Sequence, residues 1–174
     1  KNWVTNGISS DLVIVFAVTD KNVGYKGISA FIIEKGTPGF TTGKKEDKLG
    51  IRGSDTCELY FENCKVPIEN RIQNEGEGFH IAMKTLNGGR IGIAGQALGI
   101  ARASLEKSLA YSRERKQFGK TLNSFGAIKS KLAQMATRLE AARLLTWKAA
   151  KMKDSKQAYV KEAAMAKLFA SQLA

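Results

Sequence analysis

The chain has 174 residues, enough for one large domain or two small ones, and its 43% hydrophobic content is ordinary for a protein with a packed core. Its net charge of +12 is uneven, because residues 1–77 carry 10 basic and 11 acidic side chains whereas residues 78–174 carry 18 and 5. No apolar run approaches the ~20 residues that span a bilayer. The basic half indicates nucleic acid, anionic lipid or a phosphorylated ligand as a partner, or a balancing surface elsewhere in a larger protein.

Residues 1–70 have the pattern of antiparallel β structure. Runs rich in β-branched and aromatic residues predict strands at 11–18, 28–33 and 57–61, and turn sequences containing glycine separate them. No helix of useful length fits between these strands, which argues against a Rossmann unit. The first part of the chain is therefore predicted to belong to a barrel or a sandwich.

After residues 74–78 the hydrophobic period changes from two to about 3.6 residues. Helices are predicted at about 79–111, at about 124–152, and from near Ser155 to the last residue. Their many alanines and glycines favour close packing in a bundle. Because the third helix has no stop signal, an incomplete bundle is expected, and a first residue other than methionine predicts an internal fragment.

Two adjacent glycines, Gly88 and Gly89, interrupt the first helical pattern just before Arg90. An interior glycine costs a helix about 1 kcal/mol relative to alanine, so the pair indicates close approach of a neighbouring backbone or of a bound ligand. Arg90 borders an apolar stretch, where its guanidinium requires an anionic or carbonyl partner. A helix that packs against a close neighbour, with Arg90 at a helix end, explains the same residues without a ligand.

Trp3 and Thr5 flank Val4 on a predicted strand, so their side chains are expected to share a face. An indole beside a hydroxyl suits the edge of a core, with the hydroxyl in a cross-strand hydrogen bond. It equally suits a flat wall for a planar ring, with the hydroxyl addressing one of the heteroatoms of that ring.

The segment at residues 112–120 closes the first long helix with four basic side chains, an aromatic and a glycine. Cations complement the dipole at a helix C-terminus, and Gly119 is a candidate C′ residue, so helix termination accounts for most of this sequence. Gln117 and Phe118 display an amide and a ring at a turn. Together with Arg115 they suit a phosphate-bearing aromatic cofactor.

Other chemistries have little support in the sequence. Cys57 and Cys64 have neither metal-ligand nor redox spacing, so free thiols are expected. His80 is the only histidine, which leaves no Ser-His-Asp triad and no credible metal cluster. No dinucleotide fingerprint or P-loop motif occurs, and the aromatics of the basic half have the spacing of a core rather than of a nucleic-acid surface.

Taken together, five segments resemble the acyl-CoA dehydrogenase family, and most closely its short-chain (butyryl-CoA) members. The segments are residues 1–7, 26–31, 48–54, 89–94 and 115–119. The match covers essentially the whole chain in the family's order and spacing. It implies an α+β multidomain fold in which residues 1–74 are the second half of a middle antiparallel β-barrel domain and residues 75–174 are part of a C-terminal four-helix bundle.

The resemblance implies FAD as the cofactor and assigns two groups of residues to it. One group is Trp3, Val4 and Thr5, with Trp3 beside the isoalloxazine and Thr5 bonded near the flavin N5. The other is Arg115, Gln117 and Phe118, which match a turn that reaches the FAD of a neighbouring subunit in a homotetramer. At Gly126 relatives usually carry a glutamine that touches the cofactor, and this chain lacks that side chain.

The resemblance also implies an acyl-CoA substrate, lined by Asn87, Gly88, Gly89 and Arg90. The family's reaction removes the α-proton of the thioester with a carboxylate while hydride leaves the β-carbon for the flavin. In isovaleryl and long-chain members the glutamate base directly precedes the arginine, where this chain has Gly89. The base is therefore expected on a loop beyond Ala174, and residues 1–174 alone are expected to be inactive.

The expected activity is conversion of short-chain acyl-CoA to trans-2-enoyl-CoA, with electrons passed to an electron-transfer flavoprotein. An acyl-CoA oxidase on the same scaffold, a DNA-binding alkylation-response relative and a helical interaction module without cofactor are the alternatives. Phosphates of FAD and CoA explain part of the basic excess, so nucleic acid is not expected as a partner. The composition fits a bacterial cytoplasm and a mitochondrial matrix alike.

Overall fold

In the computed structural model, which describes all 174 residues, short antiparallel strands occupy the first part of the chain. The strands are β1 (Val4–Thr5), β2 (Leu12–Val18), β3 (Ile28–Glu34), β4 (Phe40–Thr42), β5 (Thr56–Cys57), β6 (Leu59–Phe61) and β7 (Arg71–Ile72). They form three small sheets, with the orders β1-β5, β2-β3-β7 and β4-β6. The predicted antiparallel β structure is confirmed.

The β2–β3 hairpin is the longest ladder and contributes two residues to the core of this region. Its register runs from Leu12 opposite Glu34 to Val18 opposite Ile28. The buried core consists of Val15, Ile33, Phe40, Cys57 and Leu59. Burial alternates along the first half of β2 and the second half of β3, whose inward residues pack on this core, whereas the adjacent Ser29 and Ala30 of β3 are both buried.

The predicted strand at 57–61 is in fact two strands with different partners. β5 pairs with β1, whereas β6 pairs with β4, and Glu58 separates the two. The sequence analysis did not predict β4 because three residues are too short to show an alternating pattern. In the structure, the ring of Phe40 stacks on Phe61 at 4.8 Å between centroids and helps to hold that pair of strands.

Three helices form the second part of the chain. They are α1 (Gly78–Glu114), α2 (Gly126–Asp154) and α3 (Val160–Leu173), and the hairpin β8 (Lys116–Gln117) and β9 (Lys120–Thr121) joins α1 to α2. Helix α1 continues without a break through Gly88 and Gly89. The predicted start of the third helix near Ser155 is wrong, because backbone bonds from Ser155 and Lys156 close the end of α2 and Lys156 has a φ of 56°.

Small side chains make up the core of the helices. The buried residues are Ala94, Ala97, Ala142, Ala149, Ala166 and Ala170. Alanine at these positions allows neighbouring helices to approach closely, and larger residues such as Leu145 and Phe169 pack around this centre. None of the helices is both long enough and apolar enough to cross a membrane.

The contacts between residues divide the chain into two compact units, Lys1–Ala82 and Met83–Ala174. Within the first unit, the turn that leads into α1 is fixed against β3. The buried Ser29 hydroxyl accepts a hydrogen bond from the Gly76 amide at 2.9 Å and is also bonded to the Thr19 hydroxyl. Gly78 then lies so close to Ser29 that an added Cβ would be 2.7 Å from its carbonyl carbon.

Candidate cofactor and substrate sites

A β-bulge shapes the segment that contains Trp3, Val4 and Thr5. Lys1 and Leu59 exchange two backbone hydrogen bonds of 2.8 Å, whereas Val4 lies opposite Cys57. The first strand therefore holds one more residue than its partner between these two pairs. Trp3 lies in the bulged segment and has a φ of 58°, a left-handed conformation that bulky residues rarely adopt.

The bulge places Trp3 outside β1, so strand alternation no longer predicts which face its side chain shares with Thr5. Alternation of side chains requires extended backbone on both sides of Val4, and the positive φ of Trp3 breaks it. The bulge instead directs the indole outward, leaving the residue 72% exposed. Thr5 is also exposed, and its hydroxyl forms no hydrogen bond within the chain, so both groups are available to a ligand.

The second predicted cofactor group lies on the β8–β9 hairpin. Lys116 pairs with Thr121 and Gln117 with Lys120, so Phe118 and Gly119 form a two-residue turn. Both turn residues have positive φ, 50° and 75°, as a type I′ hairpin requires. The interpretation of Gly119 as the C′ residue of a helix is therefore wrong, because α1 ends at Glu114 and Gly119 serves the hairpin.

The hairpin presents groups that suit a phosphate-bearing aromatic molecule. Phe118 is 92% exposed, and its ring meets Phe125 only edge-on at 6.5 Å between centroids. The side chains of Arg115 and Gln117 are exposed and form no hydrogen bond or ion pair within the chain. A cation, an amide and a ring without internal partners fit the phosphates and rings of a flavin dinucleotide.

The predicted substrate group lies on the first half of α1. The Arg90 guanidinium donates to the side-chain oxygen of Asn87, one turn earlier, so Arg90 has a polar partner. A Cβ on Gly88 would be 3.3 Å from Nζ of Lys153 on α2. Nothing lies within 4 Å of the corresponding point on Gly89. The close approach expected at this glycine pair is therefore made by a lysine side chain, and Gly89 is open.

Arg90 and Arg115 do not meet within one chain. The 24 residues of α1 from Arg90 to its end at Glu114 span about 36 Å at 1.5 Å per residue. The side chains at the two ends cannot bridge that distance. The substrate group and the hairpin group therefore belong to different binding sites if both bind ligands.

The helical unit also has a groove, but its cations are less available to a ligand than those of the β8–β9 hairpin. It has a volume of about 520 Å³ and lies between α1 and α2, where it is lined by Leu98, Gly99, Arg102, Leu139, Arg143 and Trp147. Each of its cations is already paired, Arg102 with Glu106 at 2.7 Å and Arg143 with Glu140 at 3.1 Å. Such local pairs on one helix leave little free charge in the groove.

Asp55 has a structural role that no pattern in the sequence predicts. One carboxylate oxygen accepts the Ile8 amide at 2.9 Å and the other accepts the Ser9 hydroxyl at 2.6 Å. The Asp55 carbonyl accepts the Asn6 amide at 2.9 Å. The hydrogen bonds from Ser9 and Ile8 hold the pKa of the Asp55 carboxyl below its usual range.

Comparison with known proteins identifies the family of the chain. The acyl-CoA dehydrogenase C-terminal domain matches residues 76–174 and the middle domain of the same family matches residues 1–64. The chain is 55% identical over 174 residues to the mitochondrial short-chain specific acyl-CoA dehydrogenase of Mus musculus and covers 42% of that protein. It is equally identical to the short-chain specific enzyme of Megasphaera elsdenii and covers 45% of it.

Solved structures give the same result. The butyryl-CoA dehydrogenase of Megasphaera elsdenii superposes with a TM-score of 0.95 over the whole chain and 45% of its own length. A chain from work on the electron transferring flavoprotein of Acidaminococcus fermentans, 55% identical, gives 0.94 over the whole chain and 46% of its own length. The chain thus spans less than half the length of these relatives. From its matches to both domains, the chain belongs to the acyl-CoA dehydrogenase family.

Proposed function

We propose that the protein containing this chain catalyses the FAD-dependent α,β-dehydrogenation of short-chain acyl-CoA thioesters to trans-2-enoyl-CoA. The observation that carries the proposal is 55% identity, over every residue of the chain, to short-chain specific dehydrogenases from a mammal and from a bacterium. Three groups of side chains at the positions expected for cofactor and substrate support it. One of these relatives is described as mitochondrial and the other is bacterial, so either compartment suits this protein.

We place FAD against two groups of residues, and bound FAD would accept the hydride that leaves the substrate. Trp3 and Thr5, with Val4 between them, form the wall beside the ring system, where the outward indole provides a flat apolar surface. Arg115, Gln117 and Phe118 bind a second cofactor. From the family resemblance we assign that cofactor to a neighbouring subunit of a homotetramer, and the separation of about 36 Å along α1 between Arg90 and Arg115 supports two separate sites.

Asn87, Gly88, Gly89 and Arg90 form the substrate segment. The Asn87 side chain fixes the Arg90 guanidinium, which retains N–H groups for a polar contact near the thioester end of the substrate. A hydrogen-bond donor there stabilises the negative charge that develops on the carbonyl oxygen when the α-proton is removed. Gly89, open and without a side chain, leaves room for the acyl group beside the helix.

The catalytic base comes from outside residues 1–174. The reaction needs a carboxylate next to the α-carbon, and α1 has no acidic residue before Glu106. Glu106 is itself bonded to Arg102, four turns from the substrate segment. From the family resemblance, in which Gly89 occupies the position of the glutamate base of other members, we assign proton removal to a glutamate on another segment of the protein and electron transfer to an electron-transfer flavoprotein.

The test is reduction of a dye electron acceptor by the full-length protein with butyryl-CoA and with a long-chain acyl-CoA. Butyryl-CoA should give the higher kcat/KM, and purified residues 1–174 should give no turnover. Bleaching of the flavin absorbance by butyryl-CoA without air would show the first half-reaction directly. Turnover by residues 1–174 alone would refute the placement of the base, and rapid oxygen consumption would indicate an oxidase.

A further inference from the structure

The segment Trp3–Asn6 has an unusual backbone that requires external support. Trp3 and Asn6 have φ values of 58° and 59°, on either side of the two-residue strand β1. Left-handed backbone is strained at a bulky residue such as Trp3 and persists only where surrounding contacts fix it, whereas asparagine adopts it more readily. β1 supplies just two residues to its pairing with β5, so this pairing alone holds the segment weakly.

Asp55 accepts three hydrogen bonds from the chain that follows β1, and Lys35 adds one more by donating to the Ile8 carbonyl at 2.8 Å. The Asp55 carboxylate accepts hydrogen bonds from Ile8 and Ser9, and its carbonyl accepts one from Asn6. The Ser10 amide then returns to the Asn6 carbonyl at 2.9 Å and closes the turn. Asp55 directly precedes β5, so one residue joins the start of that strand to both ends of the turn at 6–9.

We propose that Asp55 is a positioning residue for the flavin wall: by clamping the turn at 6–9, it holds Trp3 and Thr5 in the orientation that binds the isoalloxazine. This inference rests on the proposed function, because it assumes that Trp3 and Thr5 contact FAD. Asp55 acts through the backbone and touches no cofactor. Its carboxylate is suited to the task because a charged acceptor forms stronger hydrogen bonds than a neutral one.

A second buried contact in the same unit provides a control that separates positioning of Trp3 by Asp55 from general stabilisation of the fold. Ser29 is a fully buried residue of the same unit whose hydroxyl bonds Gly76 and Thr19, at the turn that enters α1. Its hydroxyl forms no hydrogen bond with residues 1–10. Replacing Ser29 with alanine should therefore destabilise the protein without changing the orientation of Trp3, which makes Ser29→Ala the matched control.

The experiment measures the affinity for FAD and the mobility of the Trp3 side chain in the full-length protein. Trp147→Phe and replacement of any other tryptophans leave Trp3 as the only source of indole fluorescence. Asp55→Asn should raise the Kd for FAD about tenfold, the factor that corresponds to 1.4 kcal/mol. In the FAD-free protein it should lower the fluorescence anisotropy of Trp3 and increase quenching by acrylamide. Ser9→Ala, which removes one of the three bonds, should have a smaller effect in the same direction.

Ser29→Ala should lower Tm while leaving the Kd for FAD and the Trp3 anisotropy unchanged. The clamp is refuted if Asp55→Asn binds FAD within twofold of wild type with unchanged anisotropy, or if Ser29→Ala weakens FAD binding as much at an equal loss of Tm. If wild-type protein does not bind FAD, the proposed function fails, and the Trp3 anisotropy alone then decides whether Asp55 positions this segment.

Discussion

Replacement of Gly78 by alanine should destabilise the protein, although alanine is the better helix former. Gly78 is the first residue of α1 and is buried against β3. A Cβ at this position would lie 2.7 Å from the Ser29 carbonyl carbon and 2.8 Å from the Ile28 oxygen. Both distances are to backbone atoms, so no side chain can rotate away to relieve the clash.

The magnitude follows from the displacement required. The shortest contact is roughly 0.7 Å below the 3.4 Å at which ordinary van der Waals contact begins, so β3 and the start of α1 must separate. Overpacking of this kind costs about 1–3 kcal/mol. The same separation lengthens the bond from Gly76 to Ser29, whose net contribution is about 1 kcal/mol. Because relatives of this chain are more than twice its length, a net loss of about 2 kcal/mol corresponds to a decrease of about 2–3 °C in the Tm of the full-length protein.

The assay is thermal unfolding of the full-length protein, followed by circular dichroism and calorimetry. Gly95→Ala is the matched control, because Gly95 lies within the same helix and nothing is within 4 Å of its added Cβ. That variant should be more stable by up to about 1 kcal/mol, which is the difference in helix propensity. Equal shifts for Gly78→Ala and Gly95→Ala would refute the reasoning, since helix propensity alone would then govern both positions.

Three further predictions concern the sites and the thiols. Arg90→Ala should lower kcat/KM for butyryl-CoA at least tenfold, the cost of one hydrogen bond to a charged group, and an unchanged value would remove Arg90 from the substrate site. Gly119→Val should weaken FAD binding in titrations, because a β-branched residue at a φ of 75° strains the turn that presents Phe118; Lys120→Ala, on the same hairpin, is the control. Burial raises the pKa of the Cys57 thiol, so its thiolate fraction is lowered at any given pH, and mass spectrometry should find alkylation at Cys64 first; faster modification of Cys57 would contradict its buried position.

The sequence alone predicted the elements whose periodicity extends over many residues. The change of period after residue 78 located α1 and α2 to within a few residues, and the alternating runs located β2 and β3. It failed where a few residues and their partners decide the conformation. β4 has three residues, and the start of α3 depends on a left-handed Lys156 that ends the preceding helix.

The candidate sites likewise combine features that the sequence predicted with features that it could not predict. The outward display of Phe118 could be predicted, because a basic and amide-rich turn has few internal partners. The role of Gly119 could not, since a glycine soon after a helix is equally typical of a C′ position and of a hairpin turn. The bulge at Trp3 depends on the register of β1 against residues more than 50 positions away, which no local pattern contains.

The length of α1 has a genetic consequence. If Arg90 serves its own subunit's substrate and Arg115 serves the flavin of a neighbour, then damage at the two ends of the helix falls on different active sites. An Arg90→Ala chain paired with an Arg115→Ala chain would form one site with both defects and one with neither. Two separately impaired alleles would thus regain activity when expressed together, and α1 would determine which combinations of alleles complement each other.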